Sequence, residues 1–263
     1  MSDTPKIAIS NQKGGVGKTT VAINVAGALN TCDHDVLFVD LDPQGNATEG
    51  LGLEEEYEAQ PPTLFDVLTD HEAREDVDSL IVSHPEMDVL PSNIDMTSIE
   101  PELTMAMRGR ERLGQVFDAL DADYDVILID CPPYLGNLTD NALLAAENVL
   151  IPALAESTSK RALEILFDQM EVLEAEYDTQ VRDLGVVANR VETTNEAKTM
   201  LAWFDEAFSD VPVWEIRKRV TLQRAFSAGC SIFELEEDCD MTAQFLAIAE
   251  ELERQLGLVE VTA

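Results

Sequence analysis

Residues 6–20 read KIAISNQKGGVGKTT. The apolar run 6–10 predicts a buried strand, and a glycine-rich loop then leads into a predicted helix over 18–30. Glycines let a backbone curl so that its N–H groups face phosphate oxygens, and the N-terminus of the next helix adds partial positive charge. A strand, a loop and a helix in this order, with Lys18 and Thr19 at the loop end, predict a phosphate-binding loop.

Each residue type in this loop has a predicted contact with a bound nucleotide. Lys18 reaches the β- and γ-phosphates, and the Thr19 hydroxyl binds Mg²⁺. The common pattern GxxxxGK[ST] requires glycine at position 12, whereas this chain has Gln12 there and a second lysine, Lys13, after it. The residues predicted to line the nucleotide site are Lys13, Gly14, Gly15, Val16, Gly17, Lys18, Thr19 and Thr20.

Further apolar runs alternate with helical patterns along the chain, and their continuous apolarity indicates strands that are covered on both faces. We predict one α/β domain over residues 1–263, a P-loop three-layer sandwich whose mostly parallel sheet has seven or eight strands. The predicted strands are 6–10, 36–40, 87–90, 126–130, 149–152, 184–189 and 211–215. The predicted helices are 18–30, 108–121, 138–147, 159–177, 193–208 and 240–256. Residues 54–58 are predicted to form a surface loop, and too few residues precede the first strand for a helix-turn-helix module.

The composition is strongly acidic, with 52 acidic and 17 basic residues and a formal net charge of −35. So large a charge repels itself in dilute buffer, whereas molar salt shortens the screening length to about 3 Å. The composition therefore predicts a protein of a salt-rich cell, as in a halophile. Neither a signal peptide nor a membrane-length apolar run is visible, which predicts a cytoplasmic location. The four cysteines form no CxxC pair and are predicted to be free thiols, and the three histidines, in polar stretches, are given no catalytic role.

Carboxylates follow two of the predicted strands. Asp40 and Asp42 lie in the segment DLDPQGN, residues 40–46, and Asp130 ends the strand 126–130. The carboxyl ends of parallel strands share the edge of a sheet at which ligands bind. We expect these side chains to lie beside the phosphate-binding loop, although an Asp-Pro pair is also an ordinary turn sequence.

These segments together resemble the ParA/MinD family of ATPases. Residues 13–19 match its deviant Walker A signature KGGxGK[ST], residues 40–46 are similar to its DxDPQGN switch motif, and residues 126–133 are similar to its Walker B strand. Residues 63–68, 90–93 and 225–233 are also ParA-like, and the DPQGN segment favours ParA over MinD. The resemblance implies a ParA/Soj-type switch for chromosome or plasmid partitioning that hydrolyses Mg·ATP to ADP and phosphate.

The resemblance also implies roles for single residues. Lys13 acts in trans on the phosphates of the partner in an ATP-dependent homodimer, where the two loops meet. Asp42 orients the attacking water, Asp40 supports the magnesium shell and the loop, and Asp130 holds Mg²⁺ through water. Asn189 hydrogen-bonds the adenine edge, which favours ATP over GTP, although an asparagine can also simply end a strand.

Family resemblance extends to the partners of the predicted switch. A stimulating protein, ParB-like or a cargo adaptor, is implied, so turnover of the chain alone is expected to be slow. Many relatives bind DNA non-specifically and associate with the nucleoid, and the candidate contacts here are Arg217, Lys218, Arg219 and Arg224. This cluster departs from the family pattern IPRNVRLSEA, because Thr221 replaces one basic position and Arg224 adds another.

Other functions remain open from the sequence. A MinD-like or cargo-positioning ATPase would dock a membrane or a protein in place of DNA, but the polar face of the predicted C-terminal helix is acidic, which disfavours an anionic membrane. An iron–sulfur reductase would need paired cysteines. A small-molecule kinase or synthetase would leave Lys13 without a role, and a scaffold without hydrolysis would not need Asp42.

Overall fold

The computed structural model describes residues 4–235 and 238–258. Eight strands form one sheet in the order β3-β4-β2-β5-β1-β6-β7-β8, and every neighbouring pair is parallel except β3 and β4. The strands are β1 (Lys6–Ile9), β2 (Val36–Asp40), β3 (Val82–His84), β4 (Met87–Leu90), β5 (Val126–Asp130), β6 (Asn148–Leu154), β7 (Arg182–Val191) and β8 (Val213–Arg217). This sheet confirms the predicted α/β class and the predicted parallel arrangement.

Twelve α-helices surround the sheet in the part of the chain that the structure describes. They are α1 (Lys18–Thr31), α2 (Asn46–Gly50), α3 (Glu54–Tyr57), α4 (Leu64–Thr69), α5 (His71–Arg74), α6 (Ile99–Met105), α7 (Arg112–Phe117), α8 (Asn137–Ala146), α9 (Ser159–Tyr177), α10 (Asn195–Ala207), α11 (Val220–Ser227) and α12 (Thr242–Leu256). Within residues 4–235 and 238–258, no helix has the length and apolarity needed to cross a membrane.

The strands bury both faces of the sheet because their residues alternate between two cores. Ala8, Leu37 and Ile129 belong to the core that α4 and α6–α10 cover, whereas Phe38 and Leu128 belong to the core that α1, α11 and α12 cover. Covered faces explain why the strands read as continuous apolar runs in the sequence. The result is the predicted three-layer sandwich.

Several predicted boundaries were wrong. The helix predicted over 108–121 is a 3₁₀ turn, Gly109–Glu111, followed by the short α7. Arg108 lies outside it with left-handed φ of 57°, and Glu111 at its end, with φ of −111° and ψ of 9°, separates the turn from α7. The strand predicted over 211–215 begins at Val213, because the Val211 N–H still bonds the Phe208 carbonyl at the end of α10. The sequence analysis also missed β3, α2, α4, α5, α6 and α11.

The acidic stretch predicted as a surface loop contains one helical turn, α3. Its last residue, Tyr57, folds back onto the switch segment, where its hydroxyl donates a hydrogen bond to the Pro43 carbonyl at 2.8 Å. A methyl group added at Gly45 would lie 2.4 Å from a ring carbon of Tyr57, so glycine is required there by contact as well as by φ of 63°. The segment is therefore part of the wall around residues 40–46.

Buried hydrogen bonds hold the segment after α11 against α1. The carboxylate of Glu86, which is 4% exposed, accepts hydrogen bonds from the Ser231 N–H at 2.8 Å and from the Ser231 hydroxyl. Asn24 of α1 accepts a hydrogen bond from the Ile232 N–H at 2.9 Å. A methyl group at Gly27 would lie 2.3 Å from Ser231 Oγ, so only glycine allows this approach.

The end of α11 and the turn after it also pack on the short helix α2. The Phe226 ring lies so close that a methyl group added at Gly50 would come within 2.2 Å of it. One turn on, a Cβ atom at Gly229 would lie 3.3 Å from the Gly52 nitrogen. The contact therefore joins the end of α2, which follows the switch segment, to the end of α11.

Two of the three histidines, His34 and His84, are more buried than their polar sequence neighbours indicate, whereas His71 is exposed. His34 is 8% exposed, and its Nε2 lies 2.7 Å from Glu253 Oε1 of α12. His84 Nε2 lies 2.9 Å from the Gly229 carbonyl oxygen. Both side chains fasten the C-terminal part of the chain to the strands, which is a structural role. All four cysteines are free thiols, as predicted.

Candidate functional site

The predicted phosphate-binding loop lies at the carboxyl edge of the sheet. It follows β1, the central strand between β5 and β6, and Ile9 at the end of β1 is paired with Asp130 at the end of β5. Asp40 at the end of β2 is paired with the same Asp130. Parallel register thus brings the loop and the two carboxylates to one place, as the strand order requires.

The loop has the backbone conformation that its glycines permit. Gly15 has φ of 77° and Gly17 has φ of 87°, both in the left-handed region that favours glycine. Gly17 caps α1 without any side-chain hydrogen bond, which leaves the first N–H groups of the helix facing the loop. Asn11 supports the loop from below, because its Oδ1 accepts the Lys13 N–H at 2.9 Å and its Nδ2 donates to the Pro152 carbonyl at 2.8 Å. The sequence analysis missed this role of Asn11.

Thr19 and Asp130 form the centre of the site. The Thr19 hydroxyl donates a hydrogen bond to Asp130 Oδ2 at 2.6 Å, and Asp130 Oδ1 is buried without a hydrogen-bond partner among the residues that the structure describes. A carboxylate oxygen left open beside a threonine hydroxyl fits a hard cation, which takes oxygen ligands directly or through water. These residues would hold Mg²⁺, and a bound Mg²⁺ would neutralise phosphate charge beside Lys18.

Asp40 and Asp42 shape the switch segment beside this centre. Asp40 Oδ2 accepts hydrogen bonds from the Thr48 N–H at 2.8 Å and the Thr48 hydroxyl at 2.7 Å, and its Oδ1 accepts the Asp42 N–H at 3.1 Å. Asp42 Oδ1 accepts only the Gln44 N–H, at 3.0 Å, among well-formed bonds to the described residues. These hydrogen bonds of Asp40 hold the loop, and its magnesium role stays a prediction.

Burial shifts the pKa of three charged groups of the site. Burial raises the pKa of Asp130 well above its usual value, and repulsion from Asp40 adds to the effect. Burial also raises the pKa of Asp40 to about 7, although the hydrogen bonds from Thr48 oppose that shift. Burial lowers the pKa of Lys18 while the charge of Asp130 opposes it. A nucleotide-free site with three carboxylates and one lysine is therefore electrostatically unfavourable, which suits a site completed by a ligand.

Replacing Asp130 with asparagine is expected to stabilise the nucleotide-free protein. Because the folded-state pKa of Asp130 is raised, ionisation costs folding free energy, at about 1.4 kcal/mol for each pKa unit. The cost is absent below the unfolded-state pKa and grows as the pH rises, so the Tm of Asp130→Asn should exceed that of the wild type by a margin that widens from pH 4 upwards. Calorimetry without nucleotide measures this margin. The exposed Asp121→Asn serves as control, and a margin independent of pH would refute the argument.

Asn189 lies next to the loop, at the end of β7. Its Nδ2 donates to the Val16 carbonyl at 2.9 Å and its Oδ1 accepts the Arg190 N–H at 2.8 Å, so the amide already fixes the loop. Asn189 also lines a cavity of about 490 Å³ together with Thr20, Arg217 and Lys218. The cavity begins at the N-terminal turn of α1 and is large enough for a base and a ribose. The adenine contact of Asn189 stays a prediction.

Comparison with known proteins identifies the family. The profile of the family described as an AAA domain matches residues 4–183. The chain is 35% identical over 250 residues to the sporulation initiation inhibitor protein Soj of Bacillus subtilis (strain 168), covering 94% of this chain and 97% of Soj. It is 34% identical over 254 residues to the chromosome partitioning protein ParA of Caulobacter vibrioides, covering 94% of this chain and 92% of that protein. The chain belongs to the ParA/MinD family.

A solved structure supports the same family assignment. Cobyrinic acid a,c-diamide synthase from Mycobacterium smegmatis, with bound ADP and magnesium, has a TM-score of 0.79 to it at 29% identity. The match covers 97% of this chain and 96% of the mycobacterial one. The resemblance drawn from residues 13–19 and 40–46 is confirmed, and the chain is a P-loop nucleotide hydrolase in the general sense of its family.

The signature lysine of this ParA/MinD chain is bound within its own chain. Lys13 Nζ lies 3.0 Å from Glu156 Oε2 and donates to Thr158 Oγ1 at 2.6 Å. The Lys13 side chain is 25% exposed and that of Glu156 is 54% exposed, so the contact lies at the surface. Sequence reasoning missed Glu156 and Thr158, which stand more than 140 residues away from Lys13 along the chain.

The basic residues predicted to bind DNA do not form a free patch in this ParA/MinD chain. Arg219 Nε lies 2.6 Å from Asp240 Oδ1, and Lys218 Nζ lies 3.3 Å from Glu192 Oε1. Arg217, Lys218 and Arg219 all line the cavity beside the loop, whereas Arg224 lies one turn into α11. The structure therefore separates the four residues into a cavity group and one residue on the helix.

Proposed function

We propose that the protein is an ATP-dependent dimerising ATPase switch that partitions DNA, a chromosome or a plasmid. The observation that carries this proposal is the group of Lys18, Thr19 and Asp130 under a loop that begins with a second lysine, Lys13. Lys18 alone serves any phosphate-binding loop, whereas an added lysine at the loop's start supports a site shared between two copies. The curated relatives of similar length, named Soj and ParA, support the same function.

The proposed ligand is ATP with Mg²⁺. Lys18 would contact the β- and γ-phosphates, the loop N–H groups would bind the remaining oxygens, and Thr19 and Asp130 would hold the cation. The cavity beside Thr20 and Asn189 supports a place for the base. ADP and magnesium in the mycobacterial structure support the same ligand class.

Hydrolysis is proposed to depend on Asp42. Its carboxylate is buried in the nucleotide-free site, beside Asp40 and close enough to Lys18 to affect its pKa. A carboxylate at this position can orient a water and accept its proton. As the family resemblance implies, a partner protein is proposed to complete the transition state and to stimulate a slow intrinsic rate.

Dimerisation is proposed to require release of Lys13 from its own chain. In the partner's site, Lys13 would add a second cation at the γ-phosphate, which stabilises the charge of phosphoryl transfer. The contacts of Lys13 with Glu156 and Thr158 of its own chain compete with this placement at the partner's γ-phosphate. An ATP dimer therefore forms at the expense of two exposed ion pairs, one in each protomer.

Glu156→Gln is expected to favour the ATP dimer modestly. Removing an exposed ion pair of about 0.2–1 kcal/mol from each protomer favours the dimer by about 0.4–2 kcal/mol, which lowers the protein concentration for half-dimerisation roughly two- to thirtyfold. Light scattering against protein concentration, in an Asp42→Ala background with ATP, measures the shift. Glu251→Gln, which breaks the Arg254 pair on α12, is the matched control. A dimerisation constant that is unchanged or weaker in Glu156→Gln would refute competition for Lys13.

DNA binding in molar KCl tests the proposed function. The Asp42→Ala variant should bind non-specific duplex with ATP but not with ADP or without nucleotide, and a variant with alanine at 217, 218, 219 and 224 should lose binding. With about four phosphate contacts, a tenfold rise in salt costs roughly 10³- to 10⁴-fold in affinity, so the salt slope reports the number of contacts. An ATP dimer that binds no DNA at any salt concentration would refute the proposed DNA binding.

A second candidate function is an ATPase that positions a protein cargo. The ion pairs of Lys218 with Glu192 and of Arg219 with Asp240 favour it, because each pair must break before its basic residue can bind a phosphate. Membrane docking is less favoured: α12 buries Phe245, Ile248 and Leu252 on its own domain, and its outer face carries carboxylates. In either case we propose a cytoplasmic protein, associated with the nucleoid if DNA is bound.

A further inference from the structure

The turn after β4 lies directly beside the switch segment, residues 40–46. β4 is the neighbour of β2 in the sheet, and Leu90 at its end is paired with Val39. Ser92 in this turn is fully buried and Asn93 is 2% exposed, although both side chains are polar. Buried polar side chains need hydrogen-bond partners, and the partners of these two lie in the switch segment and in the residues that cover it.

Ser92 holds the switch segment and α2 through two hydrogen bonds. Its hydroxyl donates to the Asp42 carbonyl oxygen at 2.7 Å, and its N–H donates to Thr48 Oγ1 at 2.9 Å. The Thr48 hydroxyl in turn donates to Asp40 Oδ2 at 2.7 Å. One residue of the turn is therefore connected to both aspartates of the segment, to Asp42 directly and to Asp40 through Thr48.

The hydrogen bond from Ser92 is not needed to satisfy the Asp42 carbonyl. The Gly45 N–H already donates to the same oxygen at 2.9 Å and closes a tight turn within the segment. One such backbone bond is enough to satisfy a buried carbonyl group. The Ser92 hydroxyl is therefore an additional constraint on the peptide plane between Asp42 and Pro43, and this constraint comes from outside the segment.

Pro43 makes this constraint effective. A proline ring restricts the residue before it to extended conformations, so the backbone of Asp42 has little freedom left once its carbonyl is held. The direction of its side chain then follows from the backbone. The Asp42 carboxylate itself accepts only one well-formed hydrogen bond from the described residues, from the Gln44 N–H at 3.0 Å. Its position therefore depends mainly on how the backbone is held.

Asn93 holds the other side of the segment. Its Nδ2 donates to the Glu56 carbonyl at 3.2 Å and to the Ala59 carbonyl at 3.1 Å, on either side of Tyr57. The Tyr57 hydroxyl reaches back to the Pro43 carbonyl at 2.8 Å. The turn after β4 therefore fixes the switch segment from two directions.

We propose that Ser92 is a positioning residue for hydrolysis, which acts through Asp42. By holding the backbone of Asp42, the Ser92 hydroxyl keeps the carboxylate where it can orient the attacking water, a placement that reactive groups need to within about 0.5 Å. This role rests on the proposed function, in which Asp42 acts on the water. It gives a function to residues 90–93, beyond their resemblance to ParA.

Ser92→Ala is expected to hydrolyse ATP about two- to tenfold more slowly than the wild type, because one hydrogen bond that positions a reacting group is lost. The N–H of residue 92 remains, so its bond to Thr48 and the hold on Asp40 are kept. The affinity for Mg·ATP and the ATP dimer should therefore be unchanged. Single-turnover phosphate release measures the rate, isothermal titration the affinity, and light scattering the dimer.

Hydrogen exchange without nucleotide provides a readout that does not depend on activity. The amide hydrogens of residues 42–48 should exchange at least threefold faster in Ser92→Ala, because the segment opens more easily without the hydroxyl. Thr69→Ala is the matched control. It removes a partly buried hydroxyl that donates to the Phe65 carbonyl at 2.8 Å in α4, and it should change neither the exchange of residues 42–48 nor the rate.

A double-mutant cycle tests whether Ser92 acts through Asp42. In an Asp42→Ala background, Ser92→Ala should leave the residual rate unchanged, because the carboxylate that it positions is already gone. A further two- to tenfold slowing in that background would overturn the role of Ser92, since the hydroxyl would then act on the rate by another route.

The remaining outcomes separate Ser92 from the proposed function. A wild-type rate, unchanged exchange of residues 42–48, or an equal loss of ATP affinity in Ser92→Ala would overturn the role of Ser92 alone. Full turnover by Asp42→Ala would overturn both. A wild-type chain that hydrolyses no ATP would contradict the proposed function, and faster exchange in Ser92→Ala would still support the hold of Ser92 on Asp42.

Discussion

Lys18→Ala is expected to lose nucleotide binding almost completely. Lys18 is 6% exposed, and its ammonium is the cation that the buried site offers to phosphate oxygens from within its own loop. A hydrogen bond to a charged group contributes about 1.5–3 kcal/mol, so losing two of them weakens binding on the order of 10²- to 10⁴-fold. Isothermal titration with Mg·ATP measures the loss, and no ATP-dependent dimer should form in the variant.

Two further variants make the result for Lys18 decisive. Lys198→Ala removes an exposed lysine of α10 and should bind ATP like the wild type. Lys18→Met keeps most of the side-chain volume and removes the charge, so it should bind as poorly as Lys18→Ala while remaining folded by circular dichroism. Wild-type affinity in Lys18→Met would show that the phosphates bind elsewhere.

Asp42→Ala is expected to stop hydrolysis while leaving ATP bound. Asp42 Oδ1 accepts one hydrogen bond, from the Gln44 N–H, whereas the loop is held mainly through Asp40 and Thr48. Removing the Asp42 carboxylate therefore leaves the segment in place. Loss of a positioned proton acceptor lowers the rate by about 10²- to 10⁴-fold. Single-turnover release of phosphate measures this loss, and light scattering should show an ATP dimer that persists.

A nearby carboxylate provides the control for Asp42. Glu49 is an exposed residue of α2, the short helix that follows Asp42 in the chain. Glu49→Ala should therefore hydrolyse ATP at the wild-type rate. Normal turnover by Asp42→Ala would remove Asp42 from the mechanism. Loss of ATP affinity in the same variant would mean that Asp42 supports the site and does not act on water.

The sequence predicted the centre of the site because each part of it is local. Residues 13–19 form one loop, and Asp40 and Asp130 end strands whose order follows from α/β topology. The contacts that hold these residues were not predictable, because they are long-range: Thr48 binds Asp40 through a short helix, and Asn11 reaches Pro152 on a strand far along the chain.

The fold was predicted best where apolar periodicity was strong. β2, β5 and α9 have the predicted bounds, since their runs are long and uninterrupted. α4 and α6 were missed because helices of six or seven residues show too few turns for a periodic pattern. The ion pairs of Lys218 and Arg219 could not be predicted because their partners, Glu192 and Asp240, are distant in the sequence.

The contact between Phe226 and Gly50 has a mechanical consequence. Nothing larger than a hydrogen atom fits between the ring and α2, so the two cannot slide past each other without distortion. α2 is also the helix whose Thr48 holds Asp40, and Phe226 belongs to the helix that carries Arg224. If Asp40 moves when a γ-phosphate binds, α2 would move with it and would displace α11 through this contact. The outer surface of α11 would therefore differ between the ATP-bound and the ADP-bound states.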